Sequence, residues 1–204
     1  QNYPEDLTGV FLALRGLGTL CGSTFLVFIN KKLDPRFILS VGFLLQGIAG
    51  FYMSHFDINL SAFELAWTNS LAGLGVGFVW VPLTLITFNT LDKKFLNEAS
   101  AFWHLIRNIG SSISISITIA LVIRSTAINY ADLSSFISIF GDSTSVMPLK
   151  GTTAPSGVES LSGLSKEIVR QSEMIGYINA FHLYYWIAFS IIPLVWLAPL
   201  KPQN

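Results

Sequence analysis

The sequence predicts an all-α fold, a polytopic transmembrane helical bundle, and three observations predict it. Of 204 residues, 51% are hydrophobic and only 12% are charged, which is about half the charged share of an ordinary soluble domain. The mean hydropathy is +0.58. The apolar residues also gather into five runs, each close to the roughly twenty residues a helix needs to cross hydrocarbon. Lipid offers backbone amides no hydrogen-bond partner, so such runs must close their bonds internally as helix.

The five spans are expected at residues 8–30, 37–56, 62–90, 98–123 and 176–200. Between the fourth and fifth lies a stretch, 124–175, rich in Ser, Gly and Thr and holding Pro148 and Pro155. That composition predicts a largely irregular outer loop, with a short amphipathic helix over residues 165–174. The whole of 1–204 then reads as one transmembrane domain.

Lys31, Lys32 and Arg36 follow the first span, Lys93 and Lys94 the third and Lys201 the fifth, whereas the connection around His55, Asp57 and Asn59 has no Lys or Arg. By the positive-inside rule the N-terminus and the long loop lie outside and the C-terminus in the cytoplasm. Lys150, Lys166 and Arg170 fall in the long loop, where long translocated segments largely escape the rule.

Several function classes are excluded or disfavoured. Twelve Lys and Arg balance twelve Asp and Glu, leaving no basic surplus to neutralise phosphates, so nucleic acid is not an expected partner. Cys21 is the only cysteine, which rules out an internal disulfide or a Cys-based zinc site and suits a small buried hydrophobe. His55, His104 and His182 are far apart, and neither a His-Glu-x-x-His helix nor a Gly-x-Ser-x-Gly elbow occurs, so no catalytic or metal residues are assigned. Gln1 is not a start residue and no leader pattern opens the chain; the sequence is expected to be truncated.

Small residues four apart allow close contact between helices in lipid. Gly18 and Gly22 mark the first span, Gly73 and Gly77 the third, and Gly110, Ser114 and Thr118 the fourth. Pro82 and Pro193 lie inside spans, where each frees a carbonyl.

Ionisable groups at membrane depth are costly and face the bundle interior or a water-filled cavity. Arg15 in the first span and Arg107 in the fourth meet that description. Each either binds an anionic or polar group or fixes structure through an ion pair or by reaching the interface. His104, Arg107 and Asn108 share one helix face by their spacing of three and four. Trp67, Asn69, Trp80 and Thr84 add aromatic and hydrogen-bonding surface in the third span, as do His182, Tyr184 and Trp186 in the last. Such aromatics either anchor the interface or line a cavity for flat organic molecules. No Asp or Glu lies near the middle of a span, so a proton carrier is expected elsewhere in the full protein.

These residues carry a resemblance. Leu14-Arg15-Gly16-Leu17-Gly18, the loop Asn30-Lys31-Lys32-Leu33-Asp34-Pro35-Arg36, and the series Val81-Pro82-Leu83-Thr84, Glu98-Ala99-Ser100 and Leu105-Ile106-Arg107-Asn108-Ile109-Gly110 are similar to stretches of EmrB/QacA-type drug:proton antiporters. The chain resembles the C-terminal domain of this fourteen-helix branch of the major facilitator superfamily, without its first helix. Lys31, Lys32, Asp34 and Arg36 form its cytoplasmic loop motif, with Lys31 where an Asp is usual; Ser111 replaces a second glycine.

The resemblance implies a non-enzymatic exporter of amphipathic or cationic drugs, working by alternating access between two domains in a bacterial inner membrane. It implies no cofactor, only a proton gradient. The partners are the bilayer, the missing N-terminal domain, a small amphipathic substrate and a periplasmic adaptor with an outer-membrane channel. A transporter of another metabolite and a membrane scaffold or embedded enzyme are the alternatives.

Overall fold

The computed structural model describes residues 5–29, 33–58, 60–88, 91–135 and 157–197. Five helices account for nearly all of them: α1 Glu5–Ile29, α2 Pro35–Met53, α3 Ala62–Phe88, α4 Leu96–Ser135 and α5 Gly157–Trp196. A short 3-10 turn, Lys93–Phe95, precedes α4, and no β-strand occurs among the described residues. Each of the five is long and apolar enough to cross a bilayer. The chain is a multi-pass membrane protein of helical class.

The helix starts follow from local chemistry. Asp34 is extended at φ −62° and ψ 129°, and Pro35 opens α2, where its fixed φ suits the first turn and its missing amide leaves no donor unsatisfied. Ahead of α3, the Ser61 hydroxyl accepts from the Glu64 amide at 3.2 Å while the Glu64 carboxylate accepts from the Ser61 amide at 3.0 Å. This reciprocal capping box satisfies two donors at the point where the chain re-enters the apolar layer.

The irregular loop expected over 124–175 is corrected on both sides, while the helix expected over 165–174 is present as part of α5. Helix α4 continues to Ser135 and α5 begins at Gly157, so 124–135 and 157–175 are helical; 136–156 lie outside the described residues. No Gly or Pro interrupts the sequence from Ser111 to Phe140, and a helix that leaves hydrocarbon with its bonds already closed needs a breaker to end it. At 40 residues each, α4 and α5 are about 60 Å long, twice the roughly 30 Å of a hydrocarbon core. Their polar ends belong to the aqueous phase rather than to an irregular loop.

The chain divides into two compact units. One comprises Gln1–Ile113 with Phe181–Asn204, and in it α1 and α2 both pack on α3. The α1–α3 contact is a glycine seam. Gly22 Cα is so near Gly77 that a methyl on Gly77 would lie 3.1 Å from it. A methyl on Gly73 would run into the Arg15 carbonyl oxygen, and one on Gly18 into that of Ser70. The Thr19 hydroxyl, at 3.0 Å from the Arg15 carbonyl and 3.1 Å from that of Gly73, adds a hydrogen bond across the seam.

Such interhelical bonds in membranes are worth about 0.6 kcal/mol on average. Thr19→Val is therefore expected to lower unfolding stability by that order, read as an earlier transition on titration with SDS; an unchanged midpoint would show the bond to be energetically idle. The core beneath is small, built on Ala49, Met53 and Ala72 with Phe56, Leu71 and Phe181 against it. Cys21 corrects another expectation, because it is exposed. On an apolar helix surrounded by lipid, an outward thiol costs as little as a buried one.

The second unit is Ser114–Ala180. Within it Gly176 sits against the Thr126 hydroxyl and the Val122 carbonyl. The Asn179 amide donates to the Ser125 hydroxyl at 2.6 Å, and Asn129 to the Ser125 carbonyl at 2.7 Å. Small and polar side chains thus hold the two helical stretches together, the pattern of helices that meet in lipid or at its edge.

Candidate functional site

Three polar clusters stand at membrane depth or at its margin in the first unit. The first joins α3 to α4. The Arg107 guanidinium carbon lies 4.3 Å from the centroid of the Trp80 ring, so the cation rests on the negative face of the indole. Such a pair is worth about 0.5–1 kcal/mol when exposed and about 2 when desolvated. Trp80 is 44% exposed, and α4 has no buried residue anywhere along its length. Arg107, His104 and Asn108 therefore present one uncovered polar face beside an accessible aromatic.

The second cluster converges from three helices. The Tyr184 hydroxyl donates to Gln46 Oε1 at 2.9 Å, and the Arg15 guanidinium is close enough to act electrostatically on the same phenol. Gly50 makes the approach possible, since a methyl there would meet the Tyr184 ring. Among the described residues neither Arg15 nor Arg107 has a carboxylate partner. Two intramembrane cations without a carboxylate partner among the described residues suit an anionic or polar neighbour.

The third cluster is aromatic and lies where α2 ends and α3 begins. Tyr52 and Trp67 meet edge to face at 4.8 Å, and the Phe51 ring lies 4.5 Å from that of His55. His182 stands 6.5 Å from His55 and 5.4 Å from Tyr185, its Nδ1 3.3 Å from the Tyr185 hydroxyl.

The residues singled out in the sequence are thus distributed rather than gathered. Trp80 and Arg107 come together; Trp67 and His182 belong to the aromatic cluster; Arg15 joins Tyr184. Asn69 and Thr84 turn back on their own helix, donating to the Leu65 carbonyl at 2.8 Å and the Trp80 carbonyl at 2.9 Å. Gly18 and Gly22 face Gly73 and Gly77 across α1 and α3, while Gly110 has open space where a methyl would go, and Ser114 is exposed. Of the loop motif, Asp34 and Arg36 sit at the start of α2; Lys31 and Lys32 lie outside the described residues. Gln46 was not singled out, although a glutamine amid an apolar run is itself a signal.

No family model matches the chain. Curated relatives do. The chain is 28% identical over 205 residues to the probable multidrug resistance protein EmrY of Escherichia coli K12. It is 24% identical over 198 residues to the multidrug export protein EmrB of the same strain, and 21% identical over 199 residues to the fatty acid resistance protein FarB of Neisseria gonorrhoeae. These alignments cover 96–97% of this chain and 39% of each relative, so the chain spans about two fifths of their length. The resemblance carried by the Arg-Gly-Leu-Gly and Arg-Asn-Ile-Gly stretches is borne out over nearly the whole sequence: the chain is similar to EmrB-type multidrug export proteins.

Proposed function

We propose that this chain forms the C-terminal transmembrane part of a secondary transporter that exports amphipathic or cationic compounds in exchange for protons. The observation that supports it most is the similarity of nearly the whole chain to proteins named for multidrug export. The uncovered face of α4, with Arg107 over Trp80, gives that reading a place to act. It would line the central cavity against a first domain, and the two domains would rock about it as repeat-built transporters do.

The chemistry assigns the parts. Trp80 offers a flat apolar face to an aromatic or alkyl portion of the substrate. Arg107 tunes the charge that the face accepts. The proton carrier belongs to another part of the protein: among the described residues of the spans, Glu64 is engaged in capping α3 and Glu98 sits in the first turn of α4. The protein acts without a cofactor and is not an enzyme. It lies in the inner membrane of a bacterium, with α1 starting outside and α5 ending in the cytoplasm, and hands its substrate to a periplasmic adaptor and an outer-membrane channel.

The full-length protein, expressed in a pump-deficient strain, is expected to lower accumulation of an amphipathic cationic dye, and a protonophore is expected to restore it. Accumulation unchanged by expression for dyes and for biocides alike would overturn the proposal. A second reading has its own support. FarB is named for fatty acid resistance, and two intramembrane arginines without carboxylate partners among the described residues suit an amphipathic carboxylate. Protection against long-chain fatty acids but not cationic dyes would favour it.

A further inference from the structure

The junction of α2 and α3 forms an open cavity of about 340 Å³ lined by Tyr52, His55, Asp57, Glu64, Trp67 and Thr68 among others. That volume is at the small end of ligand sites. Two of its walls are the Tyr52 and Trp67 rings, which meet edge to face with centroids 4.8 Å apart and planes 72° apart. The aromatic face left open beside that contact is a surface that attracts an organic ammonium. The other walls carry Asp57 and Glu64.

The electrostatics favour a cation. The C-terminal end of α2 and the N-terminal end of α3 meet here, and their dipole ends, roughly half a charge of opposite sign each, offset one another. What remains is the charge of two carboxylates. Glu64 engages one oxygen, Oε2, with the Ser61 amide, and neither carboxylate forms an ion pair among the described residues. The connection 54–61 contains no Lys or Arg, and among the described residues none lines the cavity; its one basic side chain, His55, is turned back on the Phe51 carbonyl at 2.9 Å.

A metal ion is the weaker candidate, because no group of three or more His, Cys, Asp or Glu able to hold one occurs among the described residues. Around the cavity the surface is apolar: Phe51 is 46% exposed, Tyr52 48% and Phe63 77%. Aromatics at the end of a span mark the level of lipid head groups, so an occupant with an ammonium head and an apolar body fits both halves of the surroundings.

We propose that the cavity between Tyr52, Trp67, Asp57 and Glu64 is a binding site for an ammonium head group, occupied by an aminophospholipid of the surrounding bilayer. The site is separate from the Arg107–Trp80 face, and its assignment does not depend on which compound is transported.

The test uses the full-length protein in nanodiscs of phosphatidylglycerol and phosphatidylethanolamine, with retained lipid counted by native mass spectrometry. Wild type is expected to retain phosphatidylethanolamine about tenfold over phosphatidylglycerol, the ratio given by about 1.4 kcal/mol of cation–π and charge attraction. Asp57→Asn with Glu64→Gln should abolish the preference. Glutamine keeps the capping box, so the double variant retains its α3 start, and Trp67→Leu provides an independent loss. In discs of phosphatidylglycerol alone, tetramethylammonium should quench fluorescence in wild type and not in Trp67→Leu. Quenching without lipid preference would support the site with a soluble cation as its occupant. Preference that survives both variants, or neither preference nor quenching in wild type, overturns the proposal.

Discussion

Arg107→Ala is expected to reduce export by the full-length protein to the level of cells without it, while membrane insertion and yield stay normal. The substitution removes the cation 4.3 Å above the Trp80 ring and leaves an uncharged methyl on a helix with no buried residue. Because α4 has no buried residue, losing this side chain opens no cavity and breaks no core. The effect should therefore fall on transport and not on folding. Arg107→Lys separates charge from geometry: lysine keeps the charge but not the planar guanidinium that stacks on an indole, and partial export is expected. Trp80→Leu should resemble Arg107→Ala if the pair acts as a unit. Dye accumulation, with the amount of protein in the membrane measured beside it, decides the matter. Full export by Arg107→Ala would make the residue a passive part of the helix surface.

Gly73→Val is expected to have the largest effect on stability. A single added carbon at this position meets the carbonyl oxygen and carbon of Arg15, and backbone cannot move aside as a flexible side chain can. Overpacking of this kind costs about 1–3 kcal/mol, and the isopropyl group should reach the upper end by parting α1 from α3 and stretching the Thr19 bond. The readout is thermal aggregation in detergent followed by size exclusion, with a midpoint several degrees lower and reduced yield. Gly16→Ala serves as the control, since nothing lies within 4 Å of a methyl there and alanine favours helix by about 1 kcal/mol. Equal stability of the two variants would sink the seam as a source of stability.

The spans were legible because hydrocarbon demands a continuous apolar run, and composition reports such runs directly. The Gly18, Gly22, Gly73 and Gly77 spacing was visible for the same reason, as a stripe four residues apart. The ends of α4 and α5 were not legible. Residues 124–135 and 157–164 mix Ser, Thr, Asn and Glu with apolar residues, a composition that reads as loop when hydropathy is the guide, whereas the helix expected over 165–174 is part of α5. Over 124–135 no Gly or Pro breaks the helix, and contacts such as Asn179 to Ser125 join the two helices, which sequence spacing does not display.

The clusters were legible as residue types and hidden as neighbours. Trp80 and Arg107 both stood out, yet they are 27 positions apart, and no periodicity links one helix to the next. Gln46 and Tyr184 are 138 positions apart. Their hydrogen bond depends on how α2 and α5 approach, which Gly50 permits and no local pattern announces.

The seam between α1 and α3 also bears on motion. Where main chain rests on main chain, no rotamers are available to absorb a sliding displacement, so the two helices must travel together as one rigid plank. Any bending that accompanies a change of state then falls outside the seam, at the connecting turns or at Pro82, and the stiffness of the α1–α3 pair is set by four hydrogen atoms standing where side chains would otherwise begin.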